Sequence, residues 1–260
     1  MFQGIGIGPV GLVCSAIGAI ADVAVSEDRY SIDTQMVYDD SLEIDIITRA
    51  GEDPDTFDDK TGVFDKGMVL LGHMYGPNGL GFADYMTEFF YNEAVKSYKK
   101  GKRVEALVYL GYASHYMVDV AIPVHAEADY LSQDNLTPQF ELHSKIEKWP
   151  SENWTTKFGD ESFDDTAQKA AKVPMPVCDI QATVRSMGLE TYQKLSRWYK
   201  AWDVNSATPD EPKYKSEFIN LVREQLWMCV PRVSGLFLKF KKEVNYTDKI
   251  LIYKIEEIKK

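Results

Sequence analysis

The chain has 260 residues, 45% hydrophobic and 27% charged, with a formal net charge of −11. That length suits a single domain with an ample core, and so acidic a chain is no general binder of nucleic acid. Its three cysteines, Cys14, Cys178 and Cys229, are scattered, giving neither a disulfide framework nor a CxxC metal motif.

In chain order, residues 4–21 are apolar and rich in small side chains. Ala19-Ile20-Ala21 resembles a cleavage site, yet the basic flank of an export signal is missing. Segment 1–25 therefore reads as either an export segment or a buried or mobile apolar one. Residues 1–60 hold 13 acidic and 3 basic side chains, a solvated surface unless some carboxylates line a site. A helix is expected over 32–50, ended by Gly51. Residues 53–81 read as loop-rich, with a short helix near 66–71. An aromatic-rich helix is expected over 82–99 and another over 103–120, ended or kinked by Pro123. Helices follow at 139–149, stopped by Pro150, and near 164–172. The pattern then predicts one helix over 178–202, one over 213–242 interrupted at Pro231, and a terminal one over 248–259. Residues 239–260 carry 7 Lys against 4 acids. They read as a solvated helix end, or as a patch for anionic lipid if the lysines share a face. Strand alternation is weak throughout. The fold class expected is all-α, a single multi-helix bundle over 1–260 with a metal cluster on inward helix faces.

The metal expectation rests on the stretch from His115 to Glu147, which holds three of the chain's four His residues. His115 and Asp119 are four apart, as are His143 and Glu147, with His125 between the pairs. Four residues is about one helical turn, so each pair shares a face. Val104, Leu107, Val108, Gly111, His115, Val118, Asp119 and Ile122 trace one stripe at helical spacing. A polar group on such a stripe costs free energy unless it is paired. One pair alone reads as a buried His–Asp hydrogen bond. Two pairs and an intervening His favour zinc, which takes imidazole nitrogen and carboxylate oxygen.

This stretch resembles the zinc-dependent phospholipase C family and, more distantly, the S1/P1-type nucleases that share its fold. The likeness is carried by His115-Tyr116 with Asp119, by Pro123 and His125, and by His143-Ser144-Lys145-Ile146-Glu147. Upstream, Gly72-His73-Met74-Tyr75-Gly76-Pro77-Asn78 looks like a family loop, without its aspartate. The likeness extends over about residues 50–150. It implies one zinc held by Asp55, His73, His115 and Asp119, and a second held by His125, His143 and Glu147, with room left for water. Asp55, in GEDPDTFDD, is the nearest candidate for a family aspartate, with Asp53, Asp58 and Asp59 as competitors. It could be a ligand or the base. The family holds a third zinc by an amino-terminal Trp and a nearby His. Here no Trp precedes Trp149 and no His precedes His73, so two zinc ions are expected and the third site departs from the pattern.

The implied activity is zinc-dependent phosphodiester hydrolysis, most directly phospholipase C action on phospholipid headgroups. Peripheral membrane contact and an extracellular or cell-surface location go with it, a cytoplasmic one staying open. Residues 126–142 hold no glycine and the last ligand is Glu147, two details that favour the phospholipase branch over a single-strand nuclease. Phe57, Tyr75 and Phe82 are candidates for an aromatic pocket that takes a quaternary ammonium through cation–π attraction. Ordinary core packing is the competing reading for each. A metal-binding protein with an incomplete catalytic site is the alternative of a different class.

Overall fold

The computed structural model describes residues 72–77, 81–126, 137–202 and 211–246, with backbone only for 137–144. Among these residues the chain is helical, and no strand is formed. The helices are α1 (Ala83–Lys99), α2 (Arg103–Asp119), α3 (Thr137–Glu152), α4 (Phe163–Ala171), α5 (Ile180–Tyr192), α6 (Leu195–Trp202) and α7 (Lys215–Glu243). A 3₁₀ turn, Pro123–Ala126, follows α2. The expected helices at 32–50, 66–71 and 248–259, and segment 1–25, lie outside the described residues.

Helices α1 and α2 are joined by a short turn and pack as an antiparallel pair. Helix α7 runs for 29 residues, about 43 Å, and touches α1, α2, α4, α5 and α6. In the second half of α2 nearly every side chain is buried, including Ala113, Ser114, His115, Tyr116, Met117, Val118 and Asp119. A helix covered on all sides is a central one. The expected apolar stripe was thus too narrow, because neighbours cover α2 all round. Val104 and Val108, at its outer end, are only partly buried.

Ion pairs fix the outer helices. Arg185 of α5 donates to the buried Asp84 of α1 at 2.7 Å, and Arg197 of α6 pairs with Glu217 and Glu224 of α7. Helix α4 starts in a capping box. Ser162 Oγ accepts from Asp165 N at 3.1 Å while Asp165 Oδ2 accepts from Ser162 N at 2.9 Å. Replacing Ser162 with alanine should cost about 1 kcal/mol, read as a drop of about 2–4 °C in the melting temperature. An unchanged melt would mean that this helix end adds nothing to global stability.

Three boundaries depart from the sequence expectation. Helix α3 continues past Pro150 to Glu152, since a proline in the last turn removes only one donor. Asn153 closes that end, donating through Nδ2 and N to Trp149 O. Residues 178–202 form two helices rather than one, with a turn at Gln193 and Lys194. The turn lets Trp198 and Trp202 of α6 pack edge-on against Phe218 of α7, each ring 5.1 Å away.

Helix α7 is unbroken at Pro231. Burial of Met228, Cys229, Val230, Val233 and Leu236 outweighs the lost backbone bond. Pro231 O also accepts from Met175 N at 2.8 Å. Met175 lies between Pro174 and Pro176, which have no N–H, so it is the one backbone donor of that triplet. The segment crosses α7 at Gly235, where an added Cβ would stand 1.7 Å from Met175 O.

Candidate metal centre

Four parts of the chain build the site. His73 sits on the loop 72–77, His115 and Asp119 on α2, His125 on the 3₁₀ turn, and Glu147 on α3. The loop and the turn are held together reciprocally. His125 Nδ1 donates to His73 O at 3.0 Å, and Tyr75 N donates to His125 O at 3.0 Å. The loop is seated on α1 by Ala83 N, which donates to Met74 O at 3.1 Å. This approach requires Gly81, at φ +97°, where a Cβ would meet Met74 O at 2.0 Å. On the opposite side α3 is anchored by buried Ile146 and Trp149, which flank Glu147. The Trp149 ring packs on Phe158, Phe163 and Phe218.

His73 Nδ1 lies 2.6 Å from Asp119 Oδ2 and 2.9 Å from His115 Nε2. His115 Nε2 is 3.1 Å from the same Asp119 oxygen. All three residues are buried. Burial by itself raises the Asp119 carboxyl. The imidazoles of His115, His125 and His73 outweigh it and hold that carboxyl well below the ordinary range. Asp119 is therefore an anionic donor at neutral pH.

His73, His115 and Asp119 have the chemistry and spacing to hold a metal ion. Tetrahedral ligand atoms about 2.0–2.1 Å from a zinc ion stand about 3.3 Å apart. The trio, at 2.6–3.1 Å, is a slightly contracted version of that triangle. Protons alone satisfy it poorly. A neutral His73 that donates through Nδ1 to Asp119 has no lone pair there to receive His115.

His125 gives a second test. A carbonyl oxygen only accepts, so the bond to His73 O fixes the proton on Nδ1. In the neutral ring Nε2 then carries a lone pair, and it stands 3.5 Å from Glu147 Oε1, another acceptor. A proton held between them makes an ion pair, and a metal ion in its place would take the same two donors. The backbone bond to the far nitrogen is the usual support for a metal-binding His.

The structure thus brings together His73, His115 and Asp119, and beside them His125 with Glu147. The His73 and His125 rings are 6.2 Å apart. His143 lies one turn before Glu147 on α3, but its side chain is outside the described residues, as are Asp55 and Phe57. Tyr75 is half-buried with its ring against Gly188 of α5, and Phe82 is exposed at the start of α1. Tyr116, part of the motif that carries the resemblance but given no role by sequence reading, has its buried ring 4.9 Å from His73 and 5.7 Å from Phe90.

No family model and no curated protein matches the chain. Solved structures do. Alpha toxin from Clostridium absonum aligns at a TM-score of 0.56 and 14% identity, over 95% of this chain and 68% of that one. Clostridium perfringens alpha-toxin from avian strain SWCP aligns at 0.53 and 13%, over 95% and 67%. The chain has the alpha-toxin fold. It is the all-α phospholipase C fold that the motifs resemble, and at this identity the likeness speaks for the fold alone. Among the described residues no helix is long and apolar enough to cross a membrane.

Proposed function

We propose that the chain is a zinc-dependent phosphodiester hydrolase that acts as a phospholipase C on phospholipid headgroups. The observation that carries this reading is the convergence of His73, His115 and Asp119 beside the His125–Glu147 pair, within the alpha-toxin fold. In this reading Asp55 completes the first ligand set and His143 the second, giving two zinc ions in one domain over 1–260. Zinc held there supplies Lewis acidity toward phosphodiester oxygens and lowers the pKa of a bound water. Asp55 either ligates or takes the proton from the attacking water. The His73 carbonyl keeps His125 in one tautomer, so its lone pair stays aimed toward Glu147. Phe57, Tyr75 and Phe82 receive the headgroup. The substrate implies peripheral membrane contact and an extracellular or cell-surface location.

The chain departs from the family in having no Trp before Trp149 and no His before His73. The second reading is a metal-binding protein with an incomplete catalytic site. The test is zinc per chain by elemental analysis, followed by assays of phosphocholine release from phosphatidylcholine and of single-stranded DNA cleavage. Two zinc ions and phosphocholine release are expected. DNA cleavage without lipid hydrolysis moves the chain to the nuclease branch. Zinc without either activity supports the incomplete site, and no zinc after resupply removes the metal reading.

A further inference from the structure

Gln225 of α7 is a buried amide that the metal chemistry leaves without a role. It stands among apolar side chains, with Val118, Ile122, Val222, Leu226 and Cys229 lining the same small cavity. An amide in such surroundings costs free energy unless its groups are paired. Here they are. Nε2 donates to Ala121 O at 2.8 Å and to Thr191 Oγ1 of α5 at 3.1 Å, and Oε1 accepts from Lys194 Nζ at 3.4 Å. Ala121 O can only accept and Lys194 Nζ can only donate, so the amide has a single orientation. The bond to Ala121 is the informative one. Ala121 lies two residues after Asp119 and four before His125, between α2 and the 3₁₀ turn. Carbonyls at a helix end have no partner within the helix, and Pro123 brings no N–H to supply one. The backbone ties this stretch to its own ends. Ala121 N donates to Val118 O and Ile122 N to Asp119 O, each at 2.8 Å, and His125 N donates to Ile122 O at 3.1 Å. Gln225 ties it to α7.

We infer that Gln225 is a positioning residue of the metal centre: by holding Ala121 O it sets where His125 stands relative to Asp119, and so the spacing of the two ligand sets. The inference rests on the metal reading above and concerns a residue outside both sets. Packing alone does not ask for an amide here, since a methionine of similar length would fill the same place among apolar neighbours. Gln225 cannot turn away without leaving Ala121 O and its own buried amide unpaired. His125 is thereby located from two sides. His73 O accepts from its ring on the side of the loop 72–77, and Gln225 fixes the backbone leading into it on the side of α7. Helix α5, which carries Thr191, also packs on the 3₁₀ turn.

The test measures zinc on the full chain in competition with a chromogenic chelator, for the parent, Gln225→Met and Thr191→Val. Gln225→Met removes the bond to Ala121 O. Thr191→Val removes another partner of the same amide and leaves that bond in place. Both should lower the melting temperature. Only Gln225→Met should weaken one of the two zinc ions, by about 10–100-fold, the effect of losing a group that orients a ligand. Parent-like zinc binding in Gln225→Met overturns the inference. So does an equal loss in both variants, which would mean that Gln225 acts through packing alone. If Gln225→Met fails to fold, Gln225→Glu, of the same shape but with an acceptor facing Ala121 O, is read in the same way. The metal-free chain gives a separate readout, the solvent exchange of the His125 Nδ1 proton that His73 O accepts. It should quicken about tenfold in Gln225→Met and keep its rate in Thr191→Val. A parent that binds no zinc yet shows this difference removes the metal reading and leaves the positioning of His125 standing. Equal exchange in all three proteins overturns the positioning role, whether or not zinc binds.

Discussion

Replacing His115 with alanine should lower zinc affinity by more than about 100-fold, with phosphodiester hydrolysis lost in step. Changing a residue that merely supports a ligand costs about 10–100-fold, so removing a ligand itself costs more. His115 is fully buried on α2, and its Nε2 meets both other members of the trio. No described side chain stands ready to replace it. The variant also strips a partner from the buried Asp119 carboxylate, which destabilises the metal-free fold. His115→Gln separates the two effects, because an amide of similar size still donates to Asp119. Both variants should lose zinc in competition with a chromogenic chelator, while the glutamine form keeps more of its melting temperature. Undiminished zinc binding and hydrolysis in His115→Ala would remove α2 from the metal centre.

Gly235→Ala should be among the most damaging single-atom changes in the described fold. It adds one carbon 1.7 Å from Met175 O, where both the helix backbone and the crossing segment must yield. That displacement also breaks the bond from Met175 N to Pro231 O, leaving a donor between two prolines without its partner. A loss of at least about 3 kcal/mol is expected, seen as a fall of roughly 10 °C in thermal unfolding followed by circular dichroism. A melt equal to that of the parent would mean that residues 173–177 do not cross α7 at this point.

The helical class and helix α2, with His115 and Asp119 on one face, were legible in the sequence, because a period of 3.6 and a four-residue His–Asp spacing are local signals. So was the meeting of His115 with Asp119. That His73 joins them depends on the loop 72–77 folding back across α1, which no local pattern encodes; the resemblance implied it and the geometry agrees. The break at Gln193 and Lys194 was not legible, since nothing there marks a helix end. It is set by the fit of Trp198 and Trp202 around Phe218, which is tertiary. Pro150 and Pro231 misled for the converse reason. A proline reports a missing donor, whereas burial of the neighbouring side chains decides whether the helix continues. Ser162-Phe163-Asp164-Asp165 was a readable capping signature that the helix expected near 164–172 passed over.

The bond from His125 to His73 O spans 52 residues of chain, and the His73–Asp119 contact spans 46. Closing loops of that length is an entropic cost met only when α1 and α2 have docked. The stretch from His115 to Glu147, although it carries both paired motifs, is therefore not a portable metal-binding peptide. Excised or grafted elsewhere, it would leave behind the histidine from the far side of the hairpin and the carbonyl that orients His125. The centre belongs to the architecture and not to the motif.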